Sequence, residues 1–229
     1  MSGHNKWSKI KRQKEAKDLI KGNVFSKVSR LLTLAVIEGG GITEPESNVK
    51  LRLAMEKAKA VGMPKDNIKR AIEKAAGPDK AQLKEIIYEG FGPGGVALII
   101  VATTDNANRT LTEIKNLLER NEGKLGSQNS VAYLFRKCGL IVLPKKDYQE
   151  DKILDISDQI KAFDISEDEE RYYLYLPFEN LGRVKEWMAE IDFKPQTVVS
   201  LNEELTKKVS HLVNILEELD DVQKVFTNL

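Results

Sequence analysis

One cysteine and two histidines in 229 residues leave several kinds of chemistry without material. Cys138 has no partner for an internal disulfide, so nothing argues for an oxidising compartment. His4 and His211 stand in no context resembling a nucleophile–base–acid triad or a zinc site, and no enzyme is expected. The carboxylates are plentiful but bunched in residues 166–170 and 217–221, which read as a turn and a helix end in solvent. No cofactor is implied. Ser2-Gly3-His4 can wrap Cu(II) or Ni(II) once Met1 is removed, which is incidental chemistry. No apolar run approaches the ~20 residues of a spanning helix, and the basic N-terminus lacks the apolar core of a secretory signal. Glu15 and Asp18 interrupt a transit-peptide pattern. With 31% charged residues and a mean hydropathy of −0.38, a cytoplasmic protein is expected.

Charge of one sign is scarce only in the overall value of +1. Residues 1–75 hold thirteen Lys and four Arg against eight acids, while the remaining residues hold nineteen basic against twenty-seven acidic side chains. A positive end on an acidic body raises encounter with phosphate backbones and limits indiscriminate sticking. Nucleic acid is therefore the first partner to consider, ahead of a membrane or a small-molecule substrate.

Periodicity divides the chain into three parts. In residues 23–38, Phe25, Val28, Leu32, Ala35 and Val36 recur at helical spacing until Gly39-Gly40-Gly41 stops the run. Thr43 with Glu46 forms a capping-box pattern for a second helix carrying Leu51, Ala54, Met55 and Ala58. Pro64 opens a third, with Ile68, Ala71, Ile72 and Ala75 inward. The first 22 residues are a basic arm with few apolar anchors, Trp7 among them. Strands are expected at residues 86–88 and 96–101, joined by Gly90-Phe91-Gly92-Pro93-Gly94-Gly95. That loop reads first as a hairpin connection and second as a place where phosphate or sugar approaches closely, since it matches neither common nucleotide fingerprint. A helix capped within residues 105–108 then presents Leu111, Ile114, Leu117 and Leu118, and a strand follows at 130–135.

Residues 139–200 predict strand 139–143, helix 150–160, strands 162–165 and 171–176, helix 177–191 and strand 196–200, the ferredoxin-like β-α-β-β-α-β order. A last helix through Leu205, Val209, Leu212, Val213 and Leu216, and a strand at 222–226, have no partner in that block. They are expected to return to the earlier sheet. The fold class is thus α+β and multidomain. It comprises a basic helical domain (1–79), a middle α+β domain (80–136 plus 203–229) and a ferredoxin-like α+β domain inserted in it (137–202).

Several longer motifs carry a resemblance. Gly3-His4-Asn5-Lys6-Trp7, Glu38-Gly39-Gly40-Gly41, Leu51-Arg52-Leu53-Ala54 and Met63-Pro64-Lys65-Asp66-Asn67-Ile68 come first. Tyr88-Glu89-Gly90-Phe91-Gly92-Pro93-Gly94-Gly95-Val96 and Thr104-Asp105-Asn106 with Asn108-Arg109-Thr110 follow. In order and spacing they resemble the YebC family of bacterial proteins, with Asn5 where the family usually has Ser. The resemblance implies a non-enzymatic, nucleic-acid-binding regulator of gene expression, first a DNA-binding transcriptional regulator. The alternative it implies is a ribosome-associated translation factor that binds ribosomal RNA and relieves stalling at proline-rich sequences. A reading of another class is a protein-docking adaptor acting through the acidic domains.

The residues expected to contact nucleic acid are cations of the arm and head: Lys6, Lys9, Lys11, Arg12, Lys14, Lys17, Lys21, Lys27 and Arg30, with Trp7 as a stacking surface. Lys50, Arg52, Lys65, Lys69 and Arg70 extend the set. Lysine's predominance favours diffuse phosphate contact over reading of base edges.

Overall fold

The computed structural model describes residues 21–77 and 82–229. The arm residues Lys6, Trp7, Lys9, Lys11, Arg12, Lys14 and Lys17 lie outside the described residues.

Three helices make the head: α1 (Lys21–Glu38), α2 (Val49–Ala60) and α3 (Lys65–Ala76). Their shared core is Val28, Leu32, Ala35, Val36, Leu51, Ala54, Ala58, Ile68, Ala71 and Ala75, close to the periodic set read from sequence. The start of α2 differs. Asn48, not Thr43, is its cap: Asn48 Oδ1 accepts from the Leu51 amide at 3.0 Å, while Nδ2 donates to the carbonyls of Ala35 and Ile42 at 2.8 and 3.1 Å. One buried amide thus closes α1 and opens α2. It can do so because Gly39 has no Cβ where the Asn48 amide sits.

The next unit is a four-stranded antiparallel sheet of β1 (Lys84–Phe91), β2 (Ala97–Thr104), β3 (Lys124–Leu125) and β8 (Val222–Thr227), ordered β3-β1-β2-β8. Helices α4 (Ala107–Arg120) and α6 (Glu203–Glu218) cover one face, burying Leu98, Ile100, Ile114, Leu118, Leu212 and Leu216. The other face, with Ala97, Ile99 and Phe226, meets Val131, Phe135 and Phe193. β2 is covered on both sides, which is why its sequence is a continuous apolar run instead of an alternation. Leu111, expected inward, is exposed on the outer side of α4.

Between β3 and α6 the chain builds a second sheet. Its strands are β4 (Phe135–Pro144), β5 (Asp164–Glu167), β6 (Arg171–Pro177) and β7 (Ala189–Pro195), with α5 (Glu150–Ile160) on one face. The antiparallel order β5-β6-β4-β7 is the ferredoxin-like arrangement.

Three details of this region depart from expectation. Residues 130–135 are not a strand: the Asn129, Val131 and Ala132 amides donate to the buried Glu89 carboxylate, and β4 begins only at Phe135. No helix spans 177–191. Phe178–Arg183 is a 3₁₀ turn, and Ala189 onward is needed as the strand completing the free edge of β4. Residues 196–200 make isolated bonds instead, Gln196 N–H to Leu134 O and Val199 N–H to Asn228 O, both 2.8 Å.

Candidate nucleic-acid interface

The head's cations fall into two groups with different surroundings. Lys27 and Arg30 of α1 face the first-sheet unit. The Lys27 ammonium donates to the Glu217 carbonyl, and Asn23 Nδ2 donates to the Glu218 carbonyl at 3.2 Å, so the head supplies donors for the open C-terminal carbonyls of α6. Burial lowers the Lys27 pKa, against the opposing pull of Glu217 and Asp220. Arg30 donates to Asp221 and, at 3.3 Å, to the Thr103 carbonyl.

Asp221 is the centre of this junction. Its side chain is 3% exposed, although the acidic run 217–221 reads in sequence as a helix end in solvent. Besides Arg30, it accepts from Thr110 Oγ1 at 2.6 Å, Arg109 Nη2 at 2.8 Å and Thr104 Oγ1 at 3.0 Å. Burial alone would raise its pKa; the bonds from Thr110, Arg109, Arg30 and Thr104 outweigh that and hold it at about 2. Arg109 also pairs with Asp105 at 2.8 Å, and Asn106 caps α4 by accepting from the Arg109 amide at 3.1 Å. The stretch from Thr104 to Thr110 is therefore built around a carboxylate more than a hundred residues further on.

α2 faces the second-sheet unit. Arg52 bonds Glu56 at 2.9 Å and the Leu181 carbonyl at 3.0 Å, and Leu53 joins the core of that unit beside Leu181 and Ile141. Lys50 pairs with Glu38 at 2.5 Å. Lys27, Arg30, Lys50 and Arg52 are thus engaged by acceptors of this chain. Any phosphate would compete with those bonds.

The second group looks outward. Lys65, Lys69 and Arg70 lie exposed on α3, joined by Lys74 and, at the end of α2, by Lys59, neither of which stands out in the sequence alone. Lys69 touches only the exposed Glu73, at 3.6 Å, which is worth little in solvent. Arg70 bonds Asn67 Oδ1 at 2.6 Å, using up the one side-chain amide on α3. Lys21 is the first residue of α1, the helix to which the basic arm is joined.

The glycine loop joins β1 to β2 as a hairpin, with Pro93–Gly95 as a 3₁₀ turn. Its glycines have local reasons. A Cβ at Gly90 would lie 2.9 Å from the Lys124 carbonyl on β3, and one at Gly94 would meet Leu201 at 2.8 Å. Gly94 and Gly95 also take φ of +71° and +77°. Gly92 and Pro93 are buried, Phe91 is half-buried, and only Gly94 and Gly95 reach the surface.

No group of three His, Cys, Asp or Glu side chains suited to a metal occurs among the described residues, and no helix there is long and apolar enough to cross a membrane. Burial raises the Cys138 thiol to about 12, which leaves it a poor nucleophile.

Comparison with known proteins agrees with this architecture. Residues 5–78 match the model for the TACO1/YebC protein N-terminal domain, and residues 83–229 that for the TACO1/YebC second and third domain. A relative from Aquifex aeolicus named "Probable transcriptional regulatory protein" is 42% identical, across 100% of this chain and 95% of its own length. A relative from Caldanaerobacter subterraneus with the same descriptive name is 40% identical, across 100% of this chain and 98% of its own. A crystal structure of a conserved hypothetical protein from Aquifex aeolicus superposes with a TM-score of 0.81 at 40% identity, covering 92% of this chain and 90% of that one. With both models in sequence order along nearly the whole chain, and relatives of this similarity, the protein belongs to the TACO1/YebC family.

Proposed function

We propose that this protein regulates gene expression by binding nucleic acid through its phosphate backbone, using the basic arm together with the outer surface of the head. The observation that carries the reading is the exposed row Lys65, Lys69, Arg70 and Lys74 on α3, on the same module as the arm. Lysines in solvent lose little on meeting phosphate and release counterions when they do. The regulator names of its relatives support the same class of role. In this reading the working domains are 1–79, 80–136 with 203–229, and 137–202, and the first of them makes the contact.

A second reading concerns the target. Base-specific recognition of a duplex needs Arg, Asn or Gln free to meet base edges. On α3 the amide of Asn67 is held by Arg70, and the remaining exposed cations are lysines. Recognition by phosphate alone suits folded ribosomal RNA as well as DNA, which favours the translation-factor alternative. One preparation at one physiological salt concentration separates them. Capture by purified ribosomes without retention of promoter duplex supports the ribosomal target, whereas a sequence-selective gel shift without ribosome capture supports transcriptional control. Binding to neither would remove the proposal.

A further inference from the structure

Where the head and the two sheet units meet, the chain leaves a cavity of ≈ 190 Å³. Leu31 and Leu34 of α1, Val101 and Phe226 of the first sheet, and Met188 and Phe193 of the second contribute its apolar wall. An engineered apolar cavity of ~150 Å³ stays dry and takes benzene, so this space suits an apolar body of about six to ten heavy atoms.

Two polar groups distinguish it from a packing gap. Gln223 Nε2 is buried at this wall and has no hydrogen-bond partner. An amide donor left in that condition is costly, and native structures rarely leave one without a reason. The Lys137 ammonium also lines the cavity, 4.8 Å from the Phe178 ring and 5.8 Å from the Phe193 ring, with no ion pair among the described residues. Elsewhere on the wall, Lys50 pairs with Glu38 at 2.5 Å and Lys224 with Glu190 at 3.1 Å. Across all the charged lining residues, four lysines face three glutamates, an excess of one positive charge. Apolar walls with an orphan donor and an ammonium describe a site for a single acceptor group on an apolar body.

We propose that this junction binds a small amphipathic monoanion, an aliphatic or aryl carboxylate, with its apolar body among Leu34, Val101 and Phe193 and its carboxylate toward Gln223 Nε2 and Lys137. All three units contribute walls, so an occupied site ties the head to both sheet units. The inference is independent of the nucleic-acid reading, because neither Gln223 nor Lys137 belongs to the proposed phosphate-binding surface.

Octanoate, octanol and acetate are the probes, and the full-length protein is the sample. Thermal denaturation follows stability, and methyl NMR of the four methionines follows Met188 at the cavity wall. Octanoate is expected to raise Tm saturably and shift the Met188 methyl with a Kd of about 0.1–1 mM, acetate to do neither, and octanol to bind about tenfold more weakly. Lys137→Met should bring octanoate down to the level of octanol. Gln223→Leu should raise Tm without ligand, by removing the unpaired donor, and weaken the octanoate response. Val101→Phe, which fills the space, should abolish the Met188 shift. No saturable response of the wild-type protein to octanoate, or one that survives both Val101→Phe and Lys137→Met, overturns the proposal.

Discussion

Asp221 shows how little a single residue's neighbours in sequence reveal about its role. In an acidic run it looks like solvated charge, yet four side chains from three separated segments converge on it. Nothing local announces this, because the partners lie between about 110 and 190 positions away. Replacing Asp221 with Asn would leave Arg30 facing a neutral group at a buried junction, and a loss of about 3 kcal/mol is expected in denaturant unfolding at neutral pH. The pH dependence follows from the depressed pKa. An unfolded aspartate titrates near 3.8 and this one at about 2, so its contribution is complete above pH 4 and disappears as pH falls through about 2. The stability gap between wild type and Asp221→Asn should close over that window. A gap unchanged at pH 2 would mean the carboxylate's charge is not what holds the junction. The inward and outward cations separate by the same logic. Lys27→Met should leave nucleic-acid affinity within about twofold, whereas Lys69→Gln with Arg70→Gln should lower it several-fold without loss of stability, as gel shift and thermal melting would show.

At the scale of elements, legibility follows how local the cause is. α5 begins and ends where its periodicity says, because its apolar stripe and flanking polar residues lie within the segment itself. The stretch 178–195 behaves in the opposite way. Its residues fit a helical pattern, but β4 has an open edge that seven consecutive residues of β7 complete, and that tertiary demand overrides local preference. Thr43 and Glu46 have the pattern of a cap, and the true one, Asn48, is hidden because two of its three bonds reach back to Ala35 and Ile42. Asn48→Ala should therefore cost more than an ordinary cap, about 2–3 kcal/mol, with the α1–α2 connection losing protection first in hydrogen exchange. Glu89 is the corresponding device for residues 129–132, accepting three backbone amides at 2.6 to 2.8 Å. Glu89→Gln should loosen those amides by about tenfold or more in exchange rate while the β1–β2 hairpin stays protected; uniform protection after the change would assign the loop's order to other contacts.

For the molecule as a whole, the order of elements and the separation of charge are legible in the sequence, and the way the units lock together is not. The motifs that carry the family resemblance are largely joints: Arg52 and Leu53 dock α2 on the second sheet, Glu89 and Gly90 seat the neighbouring loop and β3, and Thr104 to Thr110 encircle Asp221. Composition reports only that the first 75 residues are basic, not which cations the joints occupy. With these bonds linking the head to both sheet units, calorimetry should show the head unfolding together with the first-sheet unit in one transition, and Arg30→Met should begin to split it. The central claim is that the arm and the outer face of α3 grip phosphates. Its most direct test is the salt dependence of binding to a fixed RNA or DNA. Removing residues 1–20 and replacing Lys65, Lys69, Arg70 and Lys74 with Gln should reduce the slope of log affinity against log salt by roughly 0.7–0.9 for every phosphate no longer neutralised. A slope identical to that of the intact protein would contradict the claim.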